Sequence, residues 1–197
     1  MIVNISEKNR AFIWTPQRTA STLSSMIFNH FDFYAYDIKK KEKVSDTYKH
    51  FHTNCFFEGH EKLDFILTCR NPYVQFLSLM GYNKQSYEEV KSFSSVFFHE
   101  KSHHLTLMRN LLKRKPTYII RVEKIVEDYL KIPFIQESDF NTSGKLIETI
   151  NSKPNSSNFF KSMELLDLDL ADLIYYNNIP IFELCGYEKD SWKLLKQ

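Results

Sequence analysis

The stretch Ala11-Phe12-Ile13-Trp14-Thr15-Pro16-Gln17-Arg18-Thr19-Ala20-Ser21-Thr22-Leu23 opens with a short β-favouring run, turns polar at Pro16, and continues into Leu23, Met26, Ile27 and Phe28 at helical spacing. It reads as strand, loop and helix. A second unit of the same kind runs from Leu63 through Cys69, turns at Arg70-Asn71-Pro72, and enters a helix carrying Val74, Phe76, Leu77 and Met80. Pro72 suits the first turn of that helix, where its missing N–H does no harm. A third candidate strand, Thr117–Val122, follows a basic helix ending near Lys115 and precedes a helix from about Glu123 to Leu130. Strands alternating with helices predict an α/β fold with a largely parallel sheet. Val44–Thr53 offers a further short strand, Met163–Tyr176 and Ile179–Leu184 read as helical, and Asn151–Asn158 reads as a polar loop. There is no internal repeat and no linker long enough to divide the chain, so residues 1–197 are expected to form one domain.

The composition is that of a chain with ample material for one core: 197 residues, 43% of them hydrophobic and 15% aromatic. A formal net charge of +2 is too small to imply a nucleic-acid or membrane surface, so any anion site must come from locally placed groups. No apolar run approaches the ~20 residues of a membrane span, and the first residues lack the pattern of a signal peptide. The expectation is a soluble cytoplasmic protein. Cys55, Cys69 and Cys185 are odd in number, widely spaced and without a CxxC pair, which argues against a disulfide framework.

A loop between a strand and a helix start is where backbone N–H groups and the helix dipole converge on an anion. Thr15–Thr22 fills that position and adds Arg18 and several hydroxyls, which can donate charge-assisted and neutral hydrogen bonds to phosphate or sulfate. The Walker A pattern is absent, which argues against an ordinary ATP or GTP hydrolase. The competing local reading is a capped helix start with Thr19 or Ser21 as N-cap. In the second unit Arg70 stands at a strand end and Ser78 eight residues later, two helical turns on. Arginine suits phosphate because its planar fork binds two oxygens without losing charge; the plain alternative is a surface salt bridge beside a Pro-initiated helix.

Together the two units resemble the cofactor site of sulfotransferases that use 3′-phosphoadenosine-5′-phosphosulfate (PAPS), and the chain looks like a small bacterial or phage-type member of that family. The first segment resembles the 5′-phosphosulfate loop: Arg18 takes the place of its basic residue and Ser21 and Thr22 those of its hydroxyl residues, with Thr19 and Ala20 between them also placed at the cofactor. Where the family has glycine this chain has Ala20, and if φ > 0 is required there alanine costs roughly 1 kcal/mol. The second segment resembles the 3′-phosphate motif, an Arg-Asn/Asp-Pro turn with a serine eight residues after the arginine, which assigns that phosphate to Arg70 and Ser78. More weakly, Lys153-Pro154-Asn155-Ser156-Ser157 and the following helix are similar to the Asn-Ser-Ser loop and closing helix of bacterial members, with Asn178 where an aspartate is frequent and Lys153 as a phosphate contact. The resemblance implies a P-loop-like three-layer fold with a mostly parallel central sheet flanked by helices. It also implies an enzyme that moves the sulfuryl group of PAPS to a hydroxyl or amine acceptor, releasing PAP (3′,5′-ADP). The acceptor would be a carbohydrate or small molecule, met by loops around 30–60 and 83–105. A non-catalytic nucleotide-phosphate binder of the same fold is the alternative.

Sulfuryl transfer needs a base for the acceptor proton and positive charge on the departing phosphate. Arg18 suits the second need. By the same resemblance, in which a histidine often precedes the 3′-phosphate unit, His50 is the first candidate base in Thr47-Tyr48-Lys49-His50-Phe51-His52-Thr53, with His52 on the same side of an extended strand. Glu58 and Glu61 are further candidates. A different signal is His99-Glu100-Lys101-Ser102-His103, a formal HExxH that would indicate a zinc hydrolase. On a helical wheel Phe97, Phe98, Leu105 and Met108 gather on one side, and the two histidines lie nearly opposite, on a polar stripe unlike a buried metal face. The irregular cluster His50, His52, Cys55 and His60 fits no regular site, so no resident metal is expected.

Overall fold

The computed structural model describes residues 2–16, 19–37, 40–49, 62–83, 113–152 and 166–194. Among them six strands form one sheet: β1 Ile2–Ser6, β2 Ala11–Trp14, β3 Tyr34–Asp37, β4 Glu42–Ser45, β5 Asp64–Cys69 and β6 Tyr118–Arg121, in the spatial order β4-β3-β1-β2-β5-β6. The helices are α1 Ser21–Phe28, α2 Pro72–Asn83, α3 Ile125–Tyr129, α4 Pro133–Gln136, α5 Asp139–Thr142, α6 Lys145–Asn151, α7 Leu168–Cys185 and α8 Ser191–Leu194. These elements gather into two compact units, Met1–Cys69 with Lys115–Asn155, and Arg70–Arg114 with Ser156–Gln197.

The first unit holds the whole sheet. β2, β5 and β6, the three strands read from the sequence, pair in parallel, with Ile13 opposite Ile66 and Leu67 opposite Ile119. The other three pairings are antiparallel, so the sheet is mixed rather than mostly parallel. For β1 and β2 the reason lies in the turn Glu7–Arg10: Arg10 N–H bonds the Glu7 carbonyl at 3.1 Å and Arg10 itself has φ 49°, a reversal too short to join anything but antiparallel neighbours. β1 is then flanked by β3 on its other side, and β4 supplies the exposed edge, starting two residues before the Val44–Thr53 strand expected from the sequence and ending at Ser45.

β2 is buried at every position, as befits an inner strand. Ala11 and Ile13 face a cluster with Ile66, Ile120, Leu23, Ile27 and Phe28, to which Tyr129, Ile132, Ile135 and Leu146 add the helices after β6. Phe12 and its register partner Phe65 stack at 4.8 Å. The eight residues of α1 are too few for a helix in isolation. Burial of Leu23, Ile27 and Phe28, about 1.5–3 kcal/mol for each fully buried large side chain, is what holds it on the sheet.

In the second unit α2 lies against α7, with Tyr73, Leu77 and Met80 meeting Leu170, Ile174 and Phe182. Tyr73 and Phe182 make an edge-to-face pair at 5.2 Å. Asp167 caps the start of α7 by accepting the Leu170 N–H at 2.8 Å, and Gly186 ends it at φ 69°. Two separate helical stretches were expected here; the chain instead runs one helix through Pro180, and Leu168 is its first residue. Proline costs about 3 kcal/mol inside a helix, and burial of Ile174 before it and Ile181 and Phe182 after it outweighs that. No helix among the described residues is long and apolar enough to cross a membrane.

Candidate anion-binding site

Because β2 and β5 are parallel neighbours in register, their carboxyl ends lie side by side at Trp14 and Leu67. Such ends are where open α/β sheets place ligands. From β2 the chain passes through Thr15 and Pro16 and returns at Thr19 and Ala20 to begin α1. Ala20 is the N-cap of that helix and sits in the left-handed region, φ 58° and ψ 37°. An L-residue there costs about 1 kcal/mol or more. The condition set for this position, positive φ, is the one the backbone meets.

The N-cap residue, Ala20, makes no side-chain capping bond at α1. The capped start offered as the plainer reading, with Thr19 or Ser21 as N-cap, is not what forms. Thr19 is buried and turns its hydroxyl inward, donating to the Pro16 carbonyl at 2.6 Å and meeting the Thr68 hydroxyl of β5 at 3.0 Å. It shapes the loop and ties it to the neighbouring strand. The first intrahelical bond is Ser24 N–H to the Ala20 carbonyl, 2.9 Å. The N–H groups of Ser21, Thr22 and Leu23 therefore precede the helical ladder, and by helix geometry they look outward from its positive end. Ser21 is half-buried and Thr22 exposed.

The other end of the loop is held as well. Tyr48, buried, donates its hydroxyl to Thr15 Oγ1 at 2.7 Å, and burial pushes its phenol pKa up. The backbone of Tyr48 and Lys49 is pinned in turn: Asn29 Oδ1 accepts the Tyr48 N–H at 2.7 Å, and the Asn4 amide pairs with both the N–H and the carbonyl of Lys49 at 2.9 and 2.8 Å. These partners lie 19 to 45 residues apart in sequence.

In the second unit the Arg70-Asn71-Pro72 turn is closed by its own asparagine. Asn71 Oδ1 accepts the Tyr73 N–H at 3.0 Å, its carbonyl accepts the Gln75 N–H at 2.9 Å, and Pro72 occupies the first helical position. The Asn71 amide also donates to Ser191 Oγ at 3.0 Å, and Tyr73 donates its hydroxyl to the Lys189 carbonyl at 2.6 Å. Arg70 and Ser78 are both buried, at 7% and 2% exposure. Ser78 lies seven residues after Asn71, so the two share a face of the helix.

The third parallel strand ends at Arg121, in register with Cys69. Its guanidinium grips Asp128 through Nε and one terminal nitrogen, both at 2.7 Å, while the Arg121 N–H and Lys131 Nζ reach the same carboxylate at 3.0 and 2.9 Å. Burial would raise the Asp128 pKa, but these bonds prevail and hold it down to about 2. No sequence pattern marked this pair, nor Tyr48, Asn4, Thr68 and the capping role of Asn71.

Arg18, His50, His52 and Lys153, with Glu58, Glu61, the His50–His60 cluster and the HExxH at 99–103, lie outside the described residues. Among the described residues no three His, Cys, Asp or Glu side chains gather as metal ligands. No family model, curated protein or solved structure matches the chain.

Proposed function

We propose that this chain is a PAPS-dependent sulfotransferase, a cytoplasmic enzyme of P-loop-like three-layer fold that transfers the sulfuryl group to a hydroxyl or amine acceptor. The observation that carries the proposal is the start of α1: a left-handed Ala20 at the N-cap that makes no side-chain capping bond, and a loop framed at both ends at the carboxyl edge of a parallel strand pair. A helix start left open in this way suits an anion rather than a side chain of its own. The N–H groups of Ser21, Thr22 and Leu23, with Arg18, would take the 5′-phosphosulfate, and Arg70 with Ser78 the 3′-phosphate, with Lys153 as an additional phosphate contact. In the reaction the acceptor oxygen bonds to sulfur as the bond from sulfur to the phosphate oxygen breaks. The acceptor proton passes to His50, or to His52 as the second candidate, and 3′,5′-ADP departs with its new charge offset by Arg18 and the helix start.

Thermal stabilisation by 3′,5′-ADP and by 5′-ADP at equal concentration is the first test, since a ligand stabilises with the logarithm of the ratio of its concentration to its Kd. A larger rise with 3′,5′-ADP is expected, and Arg70→Ala should erase the difference. Equal rises in the wild type would remove the 3′-phosphate assignment. Release of 3′,5′-ADP from PAPS with a panel of carbohydrate, phenol and amine acceptors then tests turnover, and its failure with the nucleotide preference intact would leave a non-catalytic binder.

A further inference from the structure

Tyr48 brings one polar group into the aromatic core of the first unit, where its ring stacks 6.3 Å from that of Phe28. That group goes to Thr15 Oγ1, on the first residue after β2 and at the entrance of the loop that ends at Ala20. The segment presenting it is fixed without being a strand, because Asn29 and Asn4 supply the backbone partners that a neighbouring strand otherwise would. Burial keeps the phenol protonated, so it acts as a donor. A threonine hydroxyl that accepts one hydrogen bond still has its own proton to give, and it gives it more strongly for being polarised.

We infer that Tyr48 is a positioning residue for the anion-binding loop, fixing Thr15 so that its hydroxyl donates to an oxygen of the bound 5′-phosphate group. The inference rests on the proposed nucleotide-binding role and adds Thr15 as a contact and Tyr48 as its support. At the far end of the loop the Thr19 hydroxyl is already engaged with Pro16 and Thr68, so of the two buried threonines described in the loop itself Thr15 is the one with a proton to offer.

The test is calorimetric affinity for 3′,5′-ADP and for 5′-ADP, well below the melting temperature, in wild type, Tyr48→Phe, Thr15→Val, Thr15→Ser and the double variant Tyr48→Phe/Thr15→Val. Tyr48→Phe and Thr15→Val should each weaken both nucleotides roughly five- to tenfold, the worth of one hydrogen bond. Thr15→Ser should match the wild type, and the double variant should bind no more weakly than Thr15→Val alone, because both changes break one chain of bonds. The preference for 3′,5′-ADP should survive in all of them. A Tyr48→Phe protein that melts earlier but binds as tightly as the wild type would overturn the positioning role, as would losses that add in the double variant. Equal wild-type affinities for the two nucleotides would sink the 3′-phosphate assignment while Tyr48 is still judged on 5′-ADP, and a wild type that binds neither overturns both.

Discussion

The parallel neighbours β2 and β5 each lead into a helix, α1 and α2, and the first turns of these two helices are finished in opposite ways. At α2, Asn71 accepts the Tyr73 N–H and Pro72 has no N–H to satisfy, so the turn is closed by the chain itself. At α1 the cap position is an alanine with nothing to offer, held at φ 58°. Under the proposed function the difference divides the labour of binding. An anion at α1 can be met by backbone N–H groups and the helix dipole, whereas at α2 it has to be met by side chains, which is the task assigned to Arg70 and Ser78. Equivalent strand-loop-helix patterns in the sequence thus conceal two different chemistries.

The sharpest way to break the contrast is to give α1 an anion of its own. Ala20→Asp places a carboxylate at the helix start, where aspartate tolerates positive φ better than most residues and favours the dipole. Folding stability should stay level or rise by a few tenths of a kcal/mol, while the new charge opposes a bound phosphate by several kcal/mol, on the order of a hundredfold or more in affinity. Nucleotide-induced thermal stabilisation measures both quantities in one titration. Undiminished stabilisation would mean that the nucleotide phosphates do not use this helix start.

The converse change opens α2. Asn71→Ala removes the acceptor for the Tyr73 N–H and the donor to Ser191, and should lower the unfolding free energy by about 2 kcal/mol, roughly one for the cap and one for the buried hydrogen bond. Asn71→Asp retains the acceptor and should recover the larger part. Chemical denaturation reads both variants, and a loss below about 0.5 kcal/mol for Asn71→Ala would show that the cap is not what closes this turn.

What the sequence disclosed follows the range of the interactions involved. The runs Ala11–Trp14 and Asp64–Cys69 were legible because inner parallel strands are apolar or β-branched almost throughout, and Tyr118–Arg121, at the end of the sheet, because its Tyr-Ile-Ile core is strongly β-favouring. β1 and β3 were not. Tyr34-Ala35-Tyr36-Asp37 is too short to show alternation, and the Glu7–Arg10 reversal contains no Gly or Pro to announce a hairpin. The site divides in the same way. Ala20 was marked out because one backbone position in a local motif asks for glycine, but Tyr48, Asn4 and Thr68 reach the loop and its flank from tens of residues away. Their types and spacing carry no record of that. Pro180 misled in the opposite sense, since its local rule was overridden by burial on both sides of it.

The smallest expected effect concerns sign more than size. An alanine in an ordinary helical or extended site loses about 0.5–1 kcal/mol when replaced by glycine. At Ala20 the left-handed backbone reverses the argument: removing the Cβ relieves about 1 kcal/mol of native strain, while the greater freedom of glycine in the unfolded chain takes back about 0.4–1 kcal/mol. Ala20→Gly should therefore be neutral or stabilising by a few tenths of a kcal/mol, with nucleotide affinity retained because the open N–H groups are unchanged. Ala171→Gly is the control, an alanine buried within α7, and it should lose about 1 kcal/mol or more. If both variants lose stability alike in denaturant unfolding, the backbone at residue 20 is not left-handed in solution, and the contrast between the two helix starts falls with it.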